Sequence, residues 1–129
     1  MDNRQDTQQG KSAEGPGDQL LEIVSTALED LKGVAIKVID VRDLTSITDR
    51  MVIVSGTSTR HVKALADNVA LQAKRQGFPA LGVEGEQGAE WVLIDLGDVV
   101  VHVMLPEIRD FYALEKLWSV GGGETADAT

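Results

Sequence analysis

The sequence predicts an α/β domain in which helices flank a mixed five-stranded sheet, in the order αββαβββα. Three observations support this prediction: apolar residues at helical spacing, five short runs rich in β-branched residues, and glycine or proline at the junctions. The chain of 129 residues has room for one domain of ordinary size. We expect the domain to span residues 18–120, between a disordered N-terminal arm at 1–17 and a disordered tail at 121–129, because both ends are poor in apolar residues.

The first three elements are predicted to be a helix and two strands. Apolar residues recur every three or four positions over residues 20–31, which predicts an amphipathic helix with Asp18 as its N-cap and Gly33 after its end. Residues 34–41 are mostly apolar and β-branched, and they predict a strand. After a polar loop, the continuous apolar run at 51–55 is typical of a central strand.

The next four elements are predicted to be a helix and three strands. Apolar residues at helical spacing over residues 62–73 predict the helix, and the glycine and proline that follow are expected to end it. Strands are predicted at 81–84, 91–96 and 99–104. The Gly-Asp dipeptide at 97–98 predicts a tight hairpin turn between the last two strands.

A final helix is predicted after residue 105. Pro106 suits its first turn, where the missing N–H of proline leaves no hydrogen bond unmade. The apolar residues of this helix follow at helical spacing and are expected to face inward: Ile108, Phe111, Leu114 and Trp118.

Composition restricts where the protein is expected to work. Cysteine is absent, which excludes disulfides, thiolate metal ligands and a cysteine nucleophile. No apolar run approaches the roughly 20 residues that cross a bilayer, and the N-terminus lacks the features of a signal or transit peptide. We therefore expect a cytoplasmic protein.

The distribution of charge predicts a basic partner. The chain has a net charge of −9, and residues 76–108 contain no Lys or Arg. The acidic residues of this segment alternate with apolar runs typical of β-strands around Trp91, so we expect them on folded structure. They are Glu84, Glu86, Glu90, Asp95, Asp98 and Glu107. Such a surface repels nucleic acid, whose binding depends on Lys and Arg, and little direct nucleic-acid binding is expected.

Two weaker patterns each allow a structural and a functional interpretation. The GTSTRH segment at 56–61 lies between a strand and a helix, where it either caps the helix or binds an anion; capping is favoured. Asp95 and Asp98, with Glu84 and Glu86 upstream, are candidates for a divalent metal site. Their spacing is that of a turn, and it favours a solvated, partner-facing role over metal ligation.

The histidines and tryptophans do not form a catalytic set. His102 is expected to be a strand residue hydrogen-bonded at a face of the sheet, and His61 an exposed residue of the first helical turn. No serine, histidine and acid stand out as a triad, so no catalytic residue is predicted. Trp91 is equally compatible with the core and with an interface, whereas the spacing of Trp118 favours the core.

Three segments together closely resemble the Iojap-like ribosomal silencing factors: SITDRMVIVSGTSTRHV, LGVEGEQGAEWVLIDLGDVVVHVM and RDFYALEKLW. The resemblance implies a small α/β domain related in fold to nucleotidyltransferases but without their enzymatic equipment, often found as a homodimer. It implies binding to the large ribosomal subunit through the fourteenth ribosomal protein, a basic protein at the inter-subunit face. It further implies that such binding obstructs joining of the small subunit when nutrients are short.

The family's motif also implies where this chain binds. The pattern EG-x-x-x-x-x-W-x-x-x-D-x-G-D ends at Gly97 and Asp98, and two further family positions follow on the next strand. Seven of the matching residues are expected to form the partner-binding surface: Glu84, Gly85, Trp91, Asp95, Asp98, His102 and Met104. Trp91 is expected to be the apolar anchor, with Glu84, Asp95 and Asp98 facing basic side chains of the partner. No cofactor and no metal are expected.

Two other functions remain open at this point. The first is a nucleotidyltransferase-like enzyme that uses the GTST loop and the acids with a divalent metal. The second is a structural homodimer whose acidic surface binds another protein altogether.

Overall fold

The computed structural model describes residues 15–114 and 116. Its elements have the predicted order: α1 (Pro16–Asp30), β1 (Val34–Asp40), β2 (Arg50–Ser55), α2 (Thr59–Arg75), β3 (Gly82–Glu84), β4 (Trp91–Asp95), β5 (Val99–Met104) and α3 (Pro106–Tyr112). The predicted fold class is confirmed, and every strand lies within one residue of its predicted bounds. The predicted tail, Trp118 and most of the predicted arm lie outside the described residues.

The five strands form one mixed sheet in the order β1-β2-β5-β4-β3. Strands β2 and β5 are parallel, and the other three pairs are antiparallel. The predicted hairpin joins β4 to β5: the Leu96 amide donates to the Val99 carbonyl at 2.9 Å. Gly97 has a φ of +88°. A positive φ at the first central residue is the requirement of a type II′ turn, whose twist matches that of the strands.

The main core lies between helices α1 and α2 and one face of the sheet. Alternate residues of the central strands point to this face, as the period of a strand requires. They pack against apolar residues of the two helices, and all of the following are buried: Leu20, Val24, Leu28, Val52, Val54, Leu65, Val69, Val92, Ile94, Val101 and Val103.

The start of α1 differs from the prediction. Asp18 is not the N-cap, because Gly15 holds that position and Pro16 begins the helix. Asp18 lies in the first turn and accepts a hydrogen bond from the Arg50 guanidinium at 3.1 Å. A first-turn carboxylate still stabilises the positive end of the helix dipole. Sequence spacing missed this start because the proline signal lies upstream of the first apolar residue.

The other face of the sheet carries a second, smaller core under α3. Its buried members are Ile39, Val41, Met51, Ile53 and Met104, with Trp91, Ile108 and Leu114 partly buried beside them. Helix α3 packs on this face through Ile108, and its buried Arg109 lies on the same side of the helix. No helix in the described part of the chain is long and apolar enough to cross a membrane.

One residue of α3 faces the opposite way from its prediction. Phe111, expected to point inward, is 79% exposed. Arg109 is instead buried, and its guanidinium donates to the Ser55 hydroxyl at 3.0 Å. Phe111 follows Arg109 by two residues, a rotation of about 200° around the helix, so it points away from the sheet.

Candidate protein-binding surface

The register of the sheet brings residues of β3, β4 and β5 into one row. Glu84 pairs with Leu93, and Leu93 pairs with His102. Paired residues project to the same side of a sheet, so these three side chains are neighbours on one face. The intervening residues of β4, Val92 and Ile94, enter the main core. The row therefore lies on the face opposite α1 and α2.

Two more predicted residues of β4 lie on the same face. Trp91 and Asp95 are each two positions from Leu93, so their side chains project to the same side. We call the surface formed by Glu84, Trp91, Leu93 and Asp95 the acidic face. Glu84 is exposed and the other three are half-buried. The structure thus assembles three of the predicted partner-binding residues on one accessible surface.

The carboxylate of Asp95 has a local structural role as well. Its Oδ1 accepts a hydrogen bond from the Gly97 amide at 2.9 Å. This bond stabilises the start of the hairpin turn and orients the carboxylate at the end of the acidic face.

Asp98 lies elsewhere. It is exposed in the hairpin turn, and its side chain lies against Gly17 at the start of α1. Its carbonyl accepts hydrogen bonds from the amides of Asp49 and Arg50. A carboxylate beside the first turn of a helix is stabilised by the helix dipole. The structure therefore places Asp98 next to α1 and apart from the acidic face.

Gly85 contributes through its backbone. It has a φ of +89°, and a Cβ at this position would lie 2.1 Å from the carbonyl oxygen of Trp91. Only glycine accommodates both the conformation and this close approach. Gly85 thereby allows the backbone that follows β3 to pass close to the backbone of Trp91 at the start of β4.

Trp91 is enclosed by two other rings. Its Nε1–H donates to Nδ1 of His102 at 3.0 Å, with ring centroids 5.9 Å apart. On another side, Tyr112 approaches with a centroid distance of 4.9 Å and a tilt of 51°. Phe111 then packs edge-on against Tyr112 at 5.0 Å. Tyr112 and Phe111 extend the aromatic surface from Trp91 on to α3.

This aromatic extension was not predicted from the sequence. The spacing of α3 predicts Phe111 in the core and predicts no role for Tyr112. A signal was nevertheless present, because two adjacent aromatic residues stand out in a chain that has only five. Leu93 was missed as well, since only the strand register shows that it separates Trp91 from Asp95 on one face.

His102 and Met104 lie beneath the surface. Met104 is fully buried, and His102 is 6% exposed. The prediction that His102 is hydrogen-bonded at a face of the sheet is confirmed. Burial lowers the pKa of its imidazole from 6.5 to about 4, because the protonated ring loses its hydration. His102 is therefore neutral near pH 7, and its Nδ1 lone pair is available to the indole of Trp91.

Acidification is expected to destabilise the protein through His102. The pKa is lower in the folded state, so the unfolded state binds a proton first and stability falls as the pH decreases from 6.5 to 4. About 2 kcal/mol of the free energy of unfolding should be lost between pH 7 and pH 5. Urea denaturation at both pH values measures this difference. His102→Leu should remove most of it, and the same pH dependence in both proteins would contradict the assignment.

The loop before α2 caps the helix, which is the interpretation that its sequence favours. The Ser58 hydroxyl accepts a hydrogen bond from the His61 amide at 3.1 Å. Nδ1 of His61 accepts from the Thr57 amide at 2.8 Å, so Nε2 carries the proton and donates to the Leu31 carbonyl at 2.8 Å. The prediction that His61 is exposed was wrong. Its half-buried ring joins the end of α1 to the start of α2.

The part of the chain that the structure describes contains no assembled metal site. No group of three or more His, Asp or Glu residues there is placed to hold an ion. Asp95 and Asp98 were the sequence candidates. They occupy separate environments, one on the acidic face and one beside α1.

A mixed sheet with two helices on one face and an acidic, aromatic surface on the other defines a small α/β domain. The sequence model of the family described as "Ribosomal silencing factor during starvation" matches residues 14–129. The chain belongs to this family, and the resemblance inferred from the sequence is confirmed. Membership places it among ribosome-associated regulators of translation, and the family is named for a regulatory function.

Individual relatives agree with this assignment. The chain is 48% identical over 100 residues to ribosomal silencing factor RsfS of Chromobacterium violaceum, covering 78% of this chain and 82% of the relative. It is 46% identical over 100 residues to RsfS of Haemophilus influenzae, covering 78% and 98%. A crystal structure of protein CV0518 from C. violaceum superposes with a TM-score of 0.80 at 44% identity, covering 89% of this chain and 94% of that one.

Proposed function

We propose that the protein binds the large ribosomal subunit through its fourteenth ribosomal protein and so blocks joining of the small subunit when nutrients are limiting. The observation that carries this proposal is the acidic face, in a chain that belongs to the ribosomal silencing factor family. Glu84, Trp91 and Asp95 converge there from two strands. A basic ribosomal protein is the complementary partner for such a surface.

The charges of the sheet support a basic partner. The row that contains Glu84 continues through Leu93, His102 and Ile53 to Lys37 on β1. Lys37 is the only Lys or Arg in this row, and it lies four strands from Glu84, or about 19 Å. A Lys or Arg of the partner that approaches Glu84 therefore meets no like charge along the row until Lys37, about 19 Å away.

The aromatic residues supply apolar contact area. Trp91 is half-buried, so part of its ring remains available, and Tyr112 beside it is 53% exposed. Aromatic residues dominate the binding energy of many interfaces, whereas charges at the rim act more on association rate and specificity. In this proposal Trp91 provides affinity, and Glu84 and Asp95 select the basic partner.

Inhibition then requires occlusion alone. A protein bound at the inter-subunit face excludes the small subunit by volume, so no reaction, metal or cofactor is needed. We place this function in the cytoplasm, where ribosomes are assembled and used, and we propose that the free protein is a homodimer. Direct contact with ribosomal RNA contributes little, because a chain of net charge −9 is repelled by phosphates.

Reversing the charge of Glu84 is expected to weaken binding to large subunits. Glu84→Lys places a base opposite the basic partner, and we expect a loss of about fivefold to tenfold at low ionic strength that shrinks as salt is added. Sedimentation of the protein with purified large subunits measures binding. Addition of small subunits should then show that the wild-type protein lowers the yield of joined ribosomes.

Glu22→Lys is the matched control for this experiment. Glu22 is exposed on α1, on the other side of the sheet, and its substitution changes the net charge by the same amount. We expect Glu22→Lys to bind as the wild type does. Equal losses in both variants would show that only total charge matters, and failure of the wild-type protein to sediment with large subunits would overturn the proposed function.

A further inference from the structure

The indole of Trp91 forms one hydrogen bond with the buried side chain of His102. Its Nε1–H is the only donor of the side chain, and it is directed at Nδ1 of His102, 3.0 Å away. Trp91 begins β4 and is half-buried, so its ring lies at the border between the second core and solvent. At such a position several rotamers bury similar apolar area, and a hydrogen bond selects one of them.

His102 is placed to orient Trp91 and not to touch a partner. It is 6% exposed, in the middle of β5, with Leu93 and Ile53 on either side in the row across the sheet. Both neighbours are apolar, so neither competes for Nδ1 through its side chain. The ring therefore presents a fixed acceptor to the indole.

Helix α3 contacts the indole as well. Tyr112 stacks at a tilt against Trp91, and α3 itself is fastened to the sheet by the buried hydrogen bond from Arg109 to Ser55. The ring of Trp91 is thus in contact with both Tyr112 and His102. Since Tyr112 limits only the ring's position, the directional part of the constraint comes from His102.

We propose that His102 is a positioning residue, whose Nδ1 holds the Trp91 indole in the orientation that the partner binds, without itself contacting the partner. This inference rests on the proposed function of the acidic face. It changes the expected role of His102 from a contact residue to a support for one. Removing the acceptor should therefore weaken binding only while the indole donor is present.

A double-mutant cycle between the two residues tests this role. The measurement is calorimetric affinity for the purified fourteenth ribosomal protein. His102→Leu removes the acceptor in apolar surroundings and should weaken binding by about tenfold. His102→Asn places an oxygen at the position of Nδ1 and should recover affinity to within about threefold of wild type. In a Trp91→Phe background, which already lacks the donor, His102→Leu should cause no further loss.

An NMR signal reports the hydrogen bond independently of binding. The indole N–H resonance of Trp91, identified by its absence in Trp91→Phe, should keep its hydrogen-bonded shift in His102→Asn and lose it in His102→Leu. If His102→Leu does not fold, His102→Ala takes its place in the cycle, where it should weaken binding while the indole donor is present and cause no further loss in the Trp91→Phe background.

The outcomes separate this inference from the proposed function. If the wild-type protein binds but His102→Leu or Trp91→Phe binds equally well, the positioning role is wrong and the proposed function stands. Equal losses from His102→Leu with and without the Trp91 indole would also overturn it. If the wild-type protein does not bind the ribosomal protein, the proposed function fails and the positioning role fails with it.

Discussion

Trp91→Ala is expected to weaken binding to the fourteenth ribosomal protein by roughly thirtyfold or more, which corresponds to about 2 kcal/mol. The substitution removes the largest side chain of the acidic face and leaves Glu84 and Asp95 in place. It also withdraws a neighbour from Tyr112 and leaves Nδ1 of His102 without its donor. Titration calorimetry with the purified proteins measures the loss.

Leu71→Ala is a suitable control for this substitution. Leu71 is 45% exposed on α2, on the side of the sheet away from the acidic face, so its truncation removes exposed apolar surface without altering the proposed interface. We expect its affinity to equal that of the wild type. Unchanged affinity in Trp91→Ala, with the fold intact by circular dichroism, would remove Trp91 from the interface.

Gly85→Ala is expected to lower the free energy of unfolding by at least about 2 kcal/mol, or Tm by about 8 °C. Alanine is strained at a φ of +89°, and its Cβ would lie 2.1 Å from the Trp91 carbonyl oxygen. The obstacle is backbone, so relief requires that β3 and β4 move apart. Because that movement displaces Trp91, binding should weaken as well. Thermal and urea denaturation measure the stability.

Gly88→Ala, in the same connection, is the matched control. A Cβ at Gly88 would meet no atom within 4 Å, and its φ does not lie in the left-handed region. We expect a change within about 0.5 kcal/mol. Equal destabilisation by the two substitutions would mean that the whole connection is sensitive to added side chains, and the specific argument for Gly85 would be wrong.

Most of the fold could be predicted from local sequence signals. Strands β2 and β5 are recognisable in the sequence because both of their faces are buried, so each is a continuous apolar run. The hairpin could be predicted from Gly97, because glycine adopts the positive φ of such a turn without steric cost. The start of α1 was less accessible, because its signals at Gly15 and Pro16 lie outside the apolar period that revealed the helix.

The candidate surface was predictable only in part. Glu84, Trp91 and Asp95 came from a charge pattern and a family motif, and the structure brings these three together. Asp98 belonged to the same motif but lies beside α1, because the hairpin turn carries it past the end of the sheet. Tyr112 comes from a different element, and no local pattern shows that it contacts Trp91.

The sequence alone determined the class of fold, the order of its elements, the family and the acidic character of one segment. These properties depend on spacing and composition over short stretches of chain. Tertiary structure alone decided which side chains share a face, since strand register and the docking of α3 depend on contacts between distant residues. It therefore placed Phe111 outside and Arg109 inside, and it put His102 beneath the indole of Trp91.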